Sequence, residues 1–258
     1  MVYQKAKEAL YRQLALDYCV SYEDVADGQN HFTVFSPLPG RRQFRTTDDC
    51  ALKVAAVNGK LLFTGKKEVV DQCRERYATI IGDWFMDVTR FRELEEIIKP
   101  FGFKLGCAHP FYLPNDEEYK EDAETARSYE IVKYDRDAIE QFRGDERFKE
   151  AYSFDENAPD MLGVGAVSDG KIIGMAGASA DSPTLWQIGI SVDPAARGKR
   201  VGATLVRILK DDILKLNLTP FYGTSMSNIG SQRVAHHAGF IAAWAELGCM
   251  RVDDGEIY

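Results

Sequence analysis

The sequence predicts a mixed-sheet α/β protein in two domains, and three observations carry that prediction. Apolar periodicity switches repeatedly between the two-residue repeat of strands and the three-to-four-residue repeat of helices. Asn58-Gly59 and Asp169-Gly170 each separate a pair of apolar runs, as hairpin turns do. The stretch 115–124 holds six acids and one Lys in ten residues, so it reads as an exposed linker. It divides the chain into a smaller N-terminal α/β domain, 1–125, and a C-terminal domain, 126–258.

Residues 2–18 read as an amphipathic helix, because Tyr3, Ala6, Leu10 and Leu14 recur at spacings of three and four. The stretch 24–49, with Pro37, Pro39 and Gly40, reads as loop-rich. Leu52–Val57 and Lys60–Phe63 form a hairpin about Asn58-Gly59, whose residue types accept the positive φ of a type I′ turn. Val69, Val70, Cys73 and Tyr77 mark one face of a helix, and a further helix covers about 88–98 and stops at Pro100. In the second half, 130–134 reads as a strand, 136–152 as mostly helix, and 161–167 with 171–179 as a second hairpin. A strand follows at 185–192. The strongest helix is 201–216, with Leu205, Leu209, Ile213 and Leu216 facing inward and Arg207, Lys210, Asp211 and Lys215 facing water. A strand at 221–225, a helix at 231–238 and a last strand at 241–247 complete the pattern.

Charge narrows the function classes. The net charge is −8, and neither half is basic: residues 1–125 carry 17 cationic and 21 anionic side chains. A nucleic-acid-binding face is not expected. The N-terminus mixes both charges without an apolar core, and no run of 18 apolar residues occurs, so neither a signal peptide nor a membrane span is expected. Five cysteines, odd in number and widely separated, form no Cys-x-x-Cys pair, and no His stands at zinc spacing from them. The expectation is a reduced, cytoplasmic protein without a metal; solvated acids are commoner than an acidic metal site at 115–124.

An acidic surface can still hold an anion through a small local cluster of donors. Residues 188–205 offer one: a strand runs into Pro194, and a loop holding Arg197, Gly198, Lys199 and Arg200 opens the best helix at Val201-Gly202-Ala203. The first amides of a helix lack internal partners and sit at the positive end of its dipole. Small residues at 198, 202 and 203 would let a phosphate oxygen approach them. A Walker loop fails on spacing, and no Gly-x-Gly-x-x-Gly opens a helix.

Arg197-Gly198-Lys199-Arg200-Val201-Gly202 resembles the pyrophosphate loop of the GCN5-related N-acetyltransferase (GNAT) superfamily, with Arg200 where the family usually has its middle Gly. Asn228-Ile229-Gly230-Ser231-Gln232-Arg233-Val234-Ala235-His236-His237-Ala238-Gly239-Phe240 is similar to that family's second signature, and together the two cover about 128–250. The wording at 160–162, 174–181, 186–190 and 220–225 looks like a bacterial two-domain group distantly related to zwittermicin-resistance acetyltransferases.

The resemblance implies a GNAT-like mixed sheet whose central strands, 185–192 and 221–225, splay to admit the pantetheine arm of acetyl-CoA. Ile190 and Val192 would pair with that arm through their backbones. Arg197, Gly198, Lys199, Arg200, Val201, Gly202 and Ala203 would hold the pyrophosphate, with Asn228 and Ser231 beside the pantetheine. Arg200 is tolerable there on a helical backbone. The implied reaction moves an acetyl group to a primary amine of a small molecule; a non-catalytic acyl-CoA-binding or regulatory module is the alternative, and a homodimer is compatible with either. Where many relatives carry a Tyr acid this chain has Ala235, which leaves Tyr222, Ser225 and His236 as substitutes. Gln187 cannot act as a base, and Asp181 is a candidate for that role.

Overall fold

A computed structural model describes residues 1–42, 50–116 and 128–253. The described elements are α1 (Val2–Asp17), α2 (Tyr22–Ala26), β1 (His31–Val34), β2 (Leu52–Val57), β3 (Lys60–Gly65), α3 (Lys67–Tyr77), α4 (Val88–Ile98) and β4 (Phe103–Pro114). They continue as β5 (Glu130–Asp135), α5 (Arg136–Ile139), β6 (Asp160–Ser168), β7 (Lys171–Ser179) and β8 (Leu185–Val192). The last are α6 (Val201–Lys215), β9 (Thr219–Gly223), α7 (Ile229–His237) and β10 (Phe240–Arg251). The fold class is mixed α/β, as the periodicity predicts. Two compact units share the chain: Met1–Ala9 with Tyr112–Ala242, and Leu10–Phe111 with Ala243–Tyr258. No helix among the described residues is long and apolar enough to cross a membrane.

In the unit containing Leu10–Phe111, strands β1, β3, β2 and β10 lie side by side in that order. Asn58 and Gly59 take φ of 51° and 79°, the two positive values a type I′ turn demands, and they set the register of β2 on β3. Phe63, Val69, Cys73, Tyr77, Phe85 and Leu94 form the core beneath α3 and α4. The stretch 24–49 is not all loop, because β1 lies within it. That strand pairs in parallel with β3, whose residues come some thirty positions later, so no local pattern announces it. The twelve-residue β4 also escapes sequence reading; its Gly106 and Pro110 disfavour a strand locally, and pairing with neighbours overrides them. Most of the acidic linker lies in 117–127, outside the described residues.

In the other unit β9, β8, β7, β6 and β5 are neighbours in that order, antiparallel except for β8 on β9. Asp169 and Gly170 form the predicted turn, both at positive φ. Helix α6 lies on β6, β7 and β8, burying Val201, Leu205, Val206, Leu209 and Ile213. Two of the expected orientations fail. Leu216 falls just past the helix end and is 52% exposed, while Lys210 is only 8% exposed, with its ammonium beside the turn at Gly239. A lysine stem can line a core while its head reaches a polar turn.

The stretch 136–152 is helical in short pieces rather than one long helix: α5 is followed by three-residue 3-10 helices at Glu140–Phe142 and Glu146–Phe148. Gly144, at φ 81°, interrupts the first, and the Asp145 side chain caps the second through the Arg147 amide. This irregular segment packs on the sheet face opposite α6. Three glycines there stand in register across neighbouring strands: Gly163 of β6 opposite Gly177 of β7, and Gly177 opposite Gly189 of β8. Any Cβ on these positions would overlap the Tyr152 hydroxyl, the Ala151 carbonyl oxygen or the Glu150 carbonyl oxygen, in that order. The glycine row is therefore a shallow trench into which the backbone of 150–152 sinks.

Candidate active site

The site begins where two parallel strands part. Pairing of β8 with β9 runs from Leu185↔Thr219 to Ile188↔Tyr222 and ends there, although β8 continues to Val192. On its other edge β8 stays paired with β7 as far as Gly174↔Val192. The edge of Gly189–Val192 that faces away from β7 is thus an open strand edge, able to accept an extended amide-bearing chain. Ile190 and Val192, singled out from the sequence, lie in this segment.

Beyond β8 the chain makes a basic loop. Asp193 accepts from the Ala195 amide at 2.8 Å to form a Pro194–Ala196 turn, and Arg197 is extended. Gly198 and Arg200 are left-handed, at φ 76° and 60°, before α6 starts at Val201. Arg200 therefore does not rest on a helical backbone as expected. It occupies the one region where a side chain is penalised, which is the physical reason a glycine suits that position. Arg197, Lys199 and Arg200 are all exposed; Arg197 donates back to the Val192 carbonyl at 3.3 Å. Packing also bears on the small residue at Gly202. It is buried, and a Cβ there would meet Val192 at 3.2 Å, Val234 at 3.5 Å and Ile190 at 3.6 Å, so it sets how closely α6 lies on β8 and α7.

On the far side of the parting, Asn228 caps α7 by accepting from the Ser231 amide at 3.1 Å. Ser231 Oγ and Tyr222 Oη are hydrogen-bonded at 2.8 Å. Tyr222 is 1% exposed, and burial pushes its hydroxyl up to about 12, against a smaller downward pull from the Ser231 bond and upward ones from Tyr112 and Glu150. It stays protonated at any physiological pH and is an O–H donor. Ala235, one turn beyond Ser231, is buried. Ser225 is bonded to Ser227 at 3.1 Å, and Gln232 donates to the Ser225 and Met226 carbonyls, which shapes the loop ahead of α7. Ala203 is buried in the first turn of α6. His236 is exposed at the end of α7, 5.8 Å from the His237 ring, and Asp181 accepts from Ser179 at 2.7 Å.

The placement of the Glu150 backbone against Gly189, at the edge of this parting, escapes motif reading. The signal was present as the glycines 163, 177 and 189, but only strand register reveals that they form one row.

Residues 124–240, under half of the chain, match the Acetyltransferase (GNAT) family. No curated protein matches. Among solved structures, an acetyltransferase from the GNAT family of Novosphingobium aromaticivorans is 17% identical, with a TM-score of 0.39, covering 57% of this chain and 66% of that one. A GCN5-related N-acetyltransferase-like protein from Streptococcus suis is 17% identical (TM-score 0.43, covering 62% and 68%). A GNAT-family acetyltransferase from Colwellia psychrerythraea is 16% identical (TM-score 0.43, covering 75% and 78%). The chain spans about two thirds of the first structure's own length.

Proposed function

We propose that this protein is an acetyl-CoA-dependent N-acetyltransferase that moves an acetyl group to a primary amine of a small molecule. The observation that carries the reading is the end of β8–β9 pairing at Ile188↔Tyr222, directly before a basic loop and the N-terminus of α6. The pantetheine amides would pair with Ile190 and Val192 as an added strand does, and a backbone amide there would polarise the thioester carbonyl. The pyrophosphate would sit on the amides of Val201, Gly202 and Ala203 with Arg197, Lys199 and Arg200 around it, and Gly198 would shape the turn. Asn228 and Ser231 would line the pantetheine channel. Tyr222, through Ser231, or Ser225 would return a proton to the departing thiolate. The reading includes a cytoplasmic location, no metal and no nucleic-acid partner, on the strength of five free thiols and the acidic surface. It also includes the bacterial two-domain group distantly like zwittermicin-resistance acetyltransferases, on sequence wording alone.

A second reading, a non-catalytic acyl-CoA-binding or regulatory module, is favoured by the apolar Ala235 and by Arg200 in the pyrophosphate loop. Calorimetry with acetyl-CoA, followed by a thiol-release assay over a panel of primary amines, separates the two. Binding with turnover is the expected result. Binding without turnover would leave the module, and absence of binding at micromolar acetyl-CoA would remove both.

A further inference from the structure

The glycine trench ends at the place where β8 leaves β9. Gly189, its last member, is the first residue of β8 beyond the final pair Ile188↔Tyr222, and the backbone seated against it belongs to Glu150. The sheet thus seats the backbone of one acidic residue at the rim of the open edge. The face matters as much as the place. Ile188, Ile190 and Tyr222 belong to the core under α6 and α7, whereas Gly189 turns its hydrogen to the opposite face, where 150–152 lies. Glu150 and the Tyr222–Ser231 pair therefore flank the parting from opposite faces of the sheet.

Two further observations set Glu150 apart. The three acids nearest before it are paired: Glu140 with Arg143 at 2.8 Å, Asp145 with Arg147 at 2.6 Å and Glu146 with Lys149 at 3.6 Å. Among the described residues Glu150 has no ion pair, and it is exposed. Its charge is nevertheless felt by Tyr222, whose ionisation it opposes after the larger effect of burial. An exposed, unpaired acidic side chain whose backbone is anchored beside the open edge suits a cationic acceptor.

We propose that Glu150 receives the ammonium group of the acceptor and acts as the general base of the transfer. The proposal rests on the acetyltransferase reading above and deepens it, naming the acceptor class as cationic primary amines. The acceptor arrives as R–NH3⁺, and Glu150 takes one proton. The neutral nitrogen attacks the acetyl carbonyl, the C–N bond forms and the C–S bond breaks. Of the two protons left on nitrogen, one stays on the amide and one accounts for the coenzyme A thiol; the proton on Glu150 passes to solvent. The acceptor comes from the Glu150 face and the thiolate is protonated from the α7 face, so base and acid do not exchange protons directly.

The test compares wild type with Glu150→Gln, using acetyl-CoA with 1,4-diaminobutane, glucosamine and lysine as acceptors, and acetyl-CoA hydrolysis as the floor. Calorimetric affinity for acetyl-CoA should be unchanged in the variant. Turnover should fall about 100-fold or more, the size of a lost general base. The residual rate should climb about tenfold per pH unit below the amine's own pKa, because solvent must then supply the neutral amine. Turnover within about threefold of wild type, or a loss with no change in pH profile, would overturn the base assignment while leaving the acetyltransferase reading intact. A wild type that binds acetyl-CoA but neither transfers nor hydrolyses it also overturns the proposal, and one that binds none overturns the reading beneath it.

Discussion

Arg200 separates two effects that usually arrive together, backbone strain and charge. It sits at φ 60°, ψ 8°, in the left-handed region, at the N-cap of α6. Replacing it with Ala removes the guanidinium and keeps the strain; replacing it with Gly removes both. A side chain in this region costs about 1–2 kcal/mol. Gly gives back about 0.4–1 kcal/mol through its looser unfolded chain. The Gly variant should therefore be the more stable of the two by about 0.5–1 kcal/mol, or about 1–4 °C in thermal midpoint for a protein of this size. Affinity should behave differently. One charge-assisted contact to pyrophosphate is worth about 1.5–3 kcal/mol, so both variants should bind acetyl-CoA about 10- to 100-fold more weakly, and to similar extents. Scanning calorimetry measures the first quantity and isothermal titration the second. An Ala variant as stable as the Gly variant would refute the left-handed placement. Affinities within about threefold of wild type would refute the anion role of residue 200.

Three other outcomes follow from the packing. Gly177→Ala would drive a methyl into the Ala151 carbonyl and within 2.6–2.7 Å of the Tyr152 ring, costing about 1–3 kcal/mol and about 2–12 °C. Gly202→Ala, whose nearest contact is 3.2 Å, should be close to neutral, and the reverse order of thermal midpoints would contradict the trench. Arg42→Met should destabilise the unit holding Leu10–Phe111 by about 3–5 kcal/mol in denaturant titration, because Arg42 pairs with Asp17 at 2.5 Å and with Glu246 at 2.7 Å in a buried cluster. A smaller loss would mean that Lys53, 3.8 Å from Glu246, takes over the pairing. Burial pushes the Asp27 carboxyl up, but bonds from the Gln29 amide, His31 and Lys60 outweigh it and bring it down to about 2. A depressed folded pKa means stability that is full above about pH 4 and lost as pH falls toward 2. Asp27→Asn should flatten the thermal midpoint across that window, and an unchanged acid limb would count against the network.

The Tyr222–Ser231 bond shows how far motif reading reaches. Tyr222, Ser231 and Asn228 were all legible as candidates through the resemblance of 220–225 and 228–240 to the GNAT signatures. Their partnership was not, because the two residues stand nine positions apart and their 2.8 Å contact forms only once α7 and β9 are in place. Glu150 lay further out of reach. It stands in a segment whose periodicity imitates a helix, and its position depends on hairpin register carrying three glycines into one row.

By itself the sequence determined what depends on near neighbours. Both hairpins turned at Asn58-Gly59 and Asp169-Gly170 because positive φ is a local property. The strand–basic loop–helix unit at 185–215 was equally legible, since capping and amphipathicity act over a few residues. Tertiary structure alone decided what depends on distant ones: the parallel β1, the twelve-residue β4, the burial of Lys210, and the exact pair, Ile188↔Tyr222, at which β8 and β9 part. Non-local pairing and backbone overlap leave no periodic trace. An acidic residue whose backbone a trench of glycines seats beside an open strand edge becomes visible only once the strands are side by side.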